Sequence, residues 1–152
     1  MRNIVMPRSK LLARIVPLAM LFLVSTGLQA EPAMTIFLTG ASEVPAVITA
    51  ATASGQITIL PDRSVSGSIT TAGLTPTMAH IHEGAVGKNG PPIITLNKGA
   101  NNSYEIPAGT RLSEPQYKSF SVGNLYVNVH SAEHPDGEIR AQLLGKPLRL
   151  AK

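Results

Sequence analysis

All four histidines of this 152-residue chain lie in two short segments, His80-Ile81-His82 and His130 with His134 four residues on. Neutral imidazole is the commonest metal ligand and the side chain that titrates nearest neutral pH, so such clustering points to metal binding or proton transfer. The chain has no cysteine, which excludes thiolate ligation and leaves histidine nitrogen and oxygen as donors.

Spacing decides whether these imidazoles can act together. On a strand, residues two apart face the same way, about 7 Å apart, so His80 and His82 project from one face while Ala79 and Ile81 take the other. In Leu125-Tyr126-Val127-Asn128-Val129-His130 the apolar face is Leu125, Val127 and Val129, and His130 shares the polar face with Tyr126 and Asn128. His134 sits in Glu133-His134-Pro135-Asp136-Gly137, a turn-prone stretch able to fold back toward His130. A solvated strand face is the competing account of His-x-His alone.

Two further residues share these faces. Arg140, with Glu138 and Gln142 beside it by the two-residue period, is either half of a surface ion pair with Glu138 or Glu83, or an anion guide over a metal. Met78 is either a soft ligand for Cu(I) or a core methionine.

The elements that must position these residues read as short antiparallel strands. Alternating polarity bounded by Gly, Pro, Asn and Asp predicts strands over 35–38, 55–60, 65–71, 78–82, 93–96, 125–130 and 138–144, with Pro61-Asp62-Arg63-Ser64 as a hairpin turn. Seven such strands predict an all-β fold, a Greek-key β-sandwich or flattened barrel. One short helical turn is expected over 113–120, with Ser113 as N-cap, an early Pro115, and Leu112, Tyr117 and Phe120 available to face inward. The last residues, 148–152, read as a frayed tail.

Residues 1–30 read as a signal peptide: Arg2, Arg8, Lys10 and Arg14 precede an apolar stretch that ends at Leu28-Gln29-Ala30. That stretch is shorter than the roughly 18 to 20 residues of a bilayer span, so the reading is export, periplasmic or secreted, with no stable membrane anchor after cleavage. Residues 31–152 then form one domain with nine basic and nine acidic residues. With the basic excess confined to the leader and no Lys/Arg cluster remaining, nucleic acid is not an expected partner.

Two other motifs are set aside on chemical grounds. The stretch Gly84 to Pro92 is glycine-rich but lacks the Lys-Ser/Thr ending and following helix of a phosphate loop, and reads as a turn that positions His82. Ser131 adjoins His130, but no Gly-x-Ser-x-Gly elbow accompanies it.

Leu38-Thr39-Gly40-Ala41-Ser42-Glu43-Val44-Pro45, Ala79-His80-Ile81-His82-Glu83-Gly84 with Gly90-Pro91, Tyr126-Val127-Asn128-Val129-His130, and Pro135-Asp136-Gly137-Glu138-Ile139-Arg140-Ala141-Gln142-Leu143 together resemble the CHRD (chordin) domain family from about residue 35 to 144. That resemblance implies a secreted β-domain, found alone in bacteria and within chordin of animals, and little direct biochemistry.

A second resemblance carries more chemistry. Gly55-Gln56-Ile57, Val65-Ser66-Gly67-Ser68-Ile69, Gly73-Leu74 and His80-Ile81-His82-Glu83 follow the order of the copper/zinc superoxide dismutases. The similarity implies copper ligands at His80, His82 and His130 and a superoxide-guiding arginine at Arg140. It departs in having no disulfide, a loop reduced to residues 84–92, and no bridging histidine between His82 and His130, so a zinc site of that type is not expected. His134 would complete a one-copper sphere, as in copper-only variants of the enzyme.

The expectation is therefore an exported copper-dependent superoxide dismutase. The alternatives are a non-enzymatic binding or structural module, and a copper storage or delivery protein.

Overall fold

A computed structural model describes residues 33–145. The expected signal peptide and the expected frayed tail lie outside the described residues. Nine strands form: β1 Met34–Thr39, β2 Thr52–Ile59, β3 Val65–Ala72, β4 Pro76–Glu83, β5 Pro92–Thr95, β6 Asn97–Lys98, β7 Ser103–Glu105, β8 Leu125–Ser131 and β9 Ile139–Leu143. Among the described residues one α-helix, α1, spans Glu114–Ser121, and a short 3-10 turn spans Gly40–Ser42.

All neighbours pair antiparallel in one sheet, in the order β5-β4-β8-β9-β1-β2-β3-β7-β6. The two edge strands, β5 and β6, are separated in the chain by Leu96 alone. A sheet whose opposite edges are one residue apart in sequence has to curl, so the strands make a nearly closed, flattened barrel. Leu96 is buried at this seam and its N–H donates to the Ala79 carbonyl at 2.9 Å.

The inward residues are those the alternation assigns to the core. Leu38, Ile57, Ile69, Ile81, Val127 and Leu143 are each fully buried, and each such aliphatic side chain contributes about 1.5–3 kcal/mol by leaving water. The 61–64 turn joins β2 to β3 as expected, with the Leu60 N–H on the Ser64 carbonyl and Arg63 taking the left-handed conformation at φ 72°.

The structure has two strands more than the seven expected, and the reason is local. β6 and β7 are two and three residues long, too short for alternation to register. Asn101 and Asn102, at φ 53° and 58°, supply the two left-handed positions of a type I′ hairpin between them.

The helix forms where Ser113 predicts it. Gln116 N–H donates to Ser113 Oγ and Gln116 Oε1 accepts from Ser113 N–H, a reciprocal capping box, and Phe120 is buried. Ser119 Oγ donates to Glu83 Oε1, tying the helix to the end of β4 beside His82.

Candidate metal centre

β8 lies between β4 and β9, so their outward residues meet on one surface. The register sets His80 opposite Asn128, Asn128 opposite Arg140, and His82 opposite Tyr126. This surface is not solvated. Every residue of β8 is buried, and His82, Asn128, His130, Glu138 and Arg140 are at most 8% exposed.

The structure brings together His80, His82 and His130. One ring nitrogen from each lies within 4.8 Å of the others, and His80 Nδ1 is 3.0 Å from His130 Nε2. Ligands about 2 Å from a shared ion stand some 3–4 Å apart, close to the separations found here.

Two of the rings are oriented by backbone carbonyls. His82 Nδ1–H donates to the Gly90 carbonyl at 2.8 Å, and His130 Nδ1–H donates to the Pro135 carbonyl at 2.8 Å. A neutral imidazole has one N–H, so both rings are left with an Nε2 lone pair, the state a metal ligand requires. His82 Nε2 is buried and has no hydrogen-bond partner. His80 is the partly exposed member and the side from which solvent reaches the cluster.

The surroundings of His80 and His82 favour their neutral forms. Burial pushes the His80 pKa below its ordinary value, and neighbouring His130 and His82 push in the same direction. For His82, burial again lowers the pKa, while the Gly90 hydrogen bond opposes it. Such rings need not release a proton to water before binding a cation near neutral pH.

His134 does not join the three. The turn of residues 134–137 does fold back, closed by Gly137 N–H on the His134 carbonyl, but what it delivers to His130 is the Pro135 carbonyl. His134 instead lines a neighbouring cleft of about 230 Å³ with Glu43, Val44, Pro45 and Asp136.

Arg140 is 2% exposed, which overturns its reading as a surface residue. Nη2 donates to the Lys88 carbonyl at 2.7 Å, Nη1 donates to Asn89 Oδ1 at 3.1 Å, and the guanidinium lies 3.3 Å over the Tyr126 ring. Neither proposed ion pair exists: Glu138 accepts from Thr49 and Glu83 from Ser119. Among the described residues no carboxylate pairs with Arg140 at salt-bridge distance; its hydrogen-bond acceptors are neutral, and its charge acts on the buried Glu43 carboxyl. Met78 is 45% exposed and is not a core residue.

Residues 84–92 act as the expected turn for His82, and Arg140 and Tyr126 fix that turn. Tyr126 Oη accepts from Gly90 N–H at 3.2 Å, and its ring stacks on His82 at 4.8 Å and 12°. Asn89 Nδ2 donates to the Val44 carbonyl, linking the loop to residues 40–50. Gly90 is required here, because a Cβ would meet the Glu83 carbonyl oxygen at 1.7 Å.

The family comparison fits this geometry. The CHRD domain family model matches residues 34–143, from the first strand to the last. The chain belongs to the CHRD domain family. No curated protein and no solved structure matches it. The motifs of this CHRD domain converge on the covered surface: Ala79 to Gly84 supplies two imidazoles, Tyr126 to His130 supplies the third, and Glu138 to Gln142 supplies Arg140.

Sequence reasoning gave no role to Asn128, Glu43 or the Gly90 and Pro135 carbonyls, and it cast Glu138 as an ion-pair partner of Arg140 where the structure has it accept from Thr49. The two-residue period placed Asn128 on the histidine face, so its signal was present. Glu43 was visible only as part of the 38–45 motif, where nothing local marks a carboxylate for burial.

Proposed function

We propose that this CHRD domain binds one copper ion through His80, His82 and His130 and is an exported superoxide dismutase. The observation that carries the reading is the buried, unpartnered Nε2 of His82 within the three-imidazole group. A donor set of imidazoles without thiolate suits Cu(II) and Zn(II), and divalent affinity favours copper. Bound copper supplies the alternation between Cu(II) and Cu(I), by which one superoxide is oxidised to dioxygen and a second, taking two protons, is reduced to hydrogen peroxide.

The chain's own residues do the rest. Gly90 and Pro135 hold two rings with their lone pairs turned to the ion, and the Tyr126 stack limits rotation of His82. His80 forms the solvent side, where a small anion arrives. Arg140, held by neutral hydrogen-bond acceptors, provides a fixed positive charge that favours the approach of an anion. No helix among the described residues is long and apolar enough to cross a membrane, and export rests on the leader at residues 1–30.

The test is mature protein loaded with Cu(II), freed of excess metal, and assayed for superoxide removal against the same amount of free copper under chelation. Stoichiometric copper with turnover above that control is the expected result. Stoichiometric copper without turnover leaves storage or delivery, and failure to retain copper leaves a non-enzymatic module.

A further inference from the structure

Asn128 lies at the centre of the covered surface, 2% exposed. Its register partners are His80 on β4 and Arg140 on β9, and His130 follows it two residues later on the same face of β8. The two ends of its side chain have different surroundings. Nδ2 and Glu43 Oε1 each lie 2.7 Å from the point a Cβ on Gly137 would occupy, so the missing side chain at 137 is what lets them approach. Glu43 is itself buried, 7% exposed.

That arrangement turns the amide oxygen toward the histidines. Asn128 Oδ1 is buried without a donor, as is His82 Nε2. On the shared face Asn128 stands opposite His80 and one register step from His82. The Gly90 carbonyl takes the Nδ1 proton of His82, and the Glu43 carboxylate and Asn128 Nδ2 meet at the space left by Gly137, so each group presents its acceptor on the other side. Two lone pairs are thus left in a dry region with no hydrogen between them, an arrangement that a cation satisfies and a second acceptor does not.

We infer that the Asn128 amide oxygen is a fourth donor to the ion held by His80, His82 and His130, taking the place the sequence reserved for His134. This rests on the three-histidine reading and adds to it a preference. A carbonyl oxygen is a harder donor than imidazole, so it favours Cu(II) and Zn(II) over Cu(I).

The experiment uses metal-free mature protein carrying ¹³C,¹⁵N-labelled asparagine and histidine, titrated with Zn(II) and observed by NMR. One equivalent is expected to shift the Asn128 side-chain resonances together with the His82 Nε2 signal, leaving the Asn97 and Asn124 side chains unmoved. In chelator competition, Asn128→Leu is expected to weaken Cu(II) binding by roughly 10–100-fold, and Asn128→Asp, which keeps an oxygen in the same place, is expected to retain it. Imidazole shifts with an unmoved Asn128 would overturn the inference while leaving the three-histidine site standing, as would undiminished binding by folded Asn128→Leu. No response from any imidazole would overturn both. Should Asn128→Leu fail to fold, the wild-type Asn128 resonance decides.

Discussion

The outer face of β2 and β3 and the outer face of β4, β8 and β9 are written in the same alternating code but have opposite environments. On the first, Thr52, Ser54, Gln56, Ser66, Ser68 and Thr70 are exposed. On the second, residues at equivalent alternating positions are imidazole, carboxamide and guanidinium, and they are covered by residues 40–50, 84–92 and 132–137. The hydroxyl-rich face satisfies its polar groups with water. The covered face must satisfy them with one another, and it leaves His82 Nε2, Asn128 Oδ1, Glu43 Oε1 and Glu138 Oε2 buried and unmet, the first of these within the proposed metal centre. Alternation identifies the side of a sheet on which a residue lies, whereas the loops decide whether that side is dry.

The largest expected effect breaks this contrast at the ligands. His80→Ala with His82→Ala should lower Cu(II) affinity on the order of a hundredfold or more, because two of three converging donors are lost. The matched change on the wet face, Ser66→Ala with Ser68→Ala, should leave copper retention unchanged. Equilibrium dialysis against a chelator checks both. Copper kept by the histidine variant would place the binding elsewhere.

Next comes the arginine beneath the loop. Arg140→Ala removes two charge-assisted hydrogen bonds and the contact with Tyr126, with an expected loss of about 2–4 kcal/mol in denaturant unfolding. If its charge also draws superoxide, the catalytic rate falls and becomes less sensitive to ionic strength. A stability loss with an unchanged salt dependence would assign Arg140 to holding the loop and nothing more.

Much of this was legible in the sequence because it depends on local rules. The two-residue period put His80 and His82, and separately Tyr126, Asn128 and His130, on common faces, and the structure keeps both sets. Ser113 and Gln116 announced their helix start by spacing alone. What was not legible depends on chain segments distant in sequence. Nothing near Arg140 says that Lys88 and Asn89 will cover it, about fifty positions away, and nothing near Glu43 says that Gly137 will make room for its carboxylate. The His134 turn is the instructive case: its fold-back follows from Pro-Asp-Gly, but whether a turn presents a side chain or a carbonyl depends on backbone angles that residue types do not fix.

A pH experiment sharpens the comparison at smaller amplitude. His80 and His82 have pKa values lowered in the folded state, first by burial. The unfolded chain, with histidine near 6.5, therefore binds more protons than the native state as pH falls through that range. Metal-free stability should be full above about pH 6.5 and decline as pH falls through the lowered folded values. Glu43 has the opposite sign: its carboxyl is raised by burial, so its contribution weakens as pH rises through that raised value. His80→Gln should flatten part of the acid decline in urea midpoints measured across this range. An unchanged slope would mean that the histidine surface is wetter than its burial implies.

The smallest expected effect comes from a second arginine with side-chain contacts among the described residues. Arg111 pairs with Asp62 at 3.4 Å and also bonds the Asp62 carbonyl, but the two side chains are 54% and 58% exposed. Water competes for both partners and salt screens them, so the pair should contribute little. The turn does not depend on Arg111 either, because Asp62 Oδ1 accepts from both the backbone N–H and the hydroxyl of Ser64. The Asp62 carboxyl is held below its usual range first by those Ser64 bonds, with Arg111 a lesser cause. Arg111→Ala should therefore leave the thermal midpoint within experimental error and insensitive to added salt, in contrast to Arg140→Ala. A loss at Arg111 comparable to that at Arg140 would show that the loops covering β4, β8 and β9 do not set the energetic difference between the two faces.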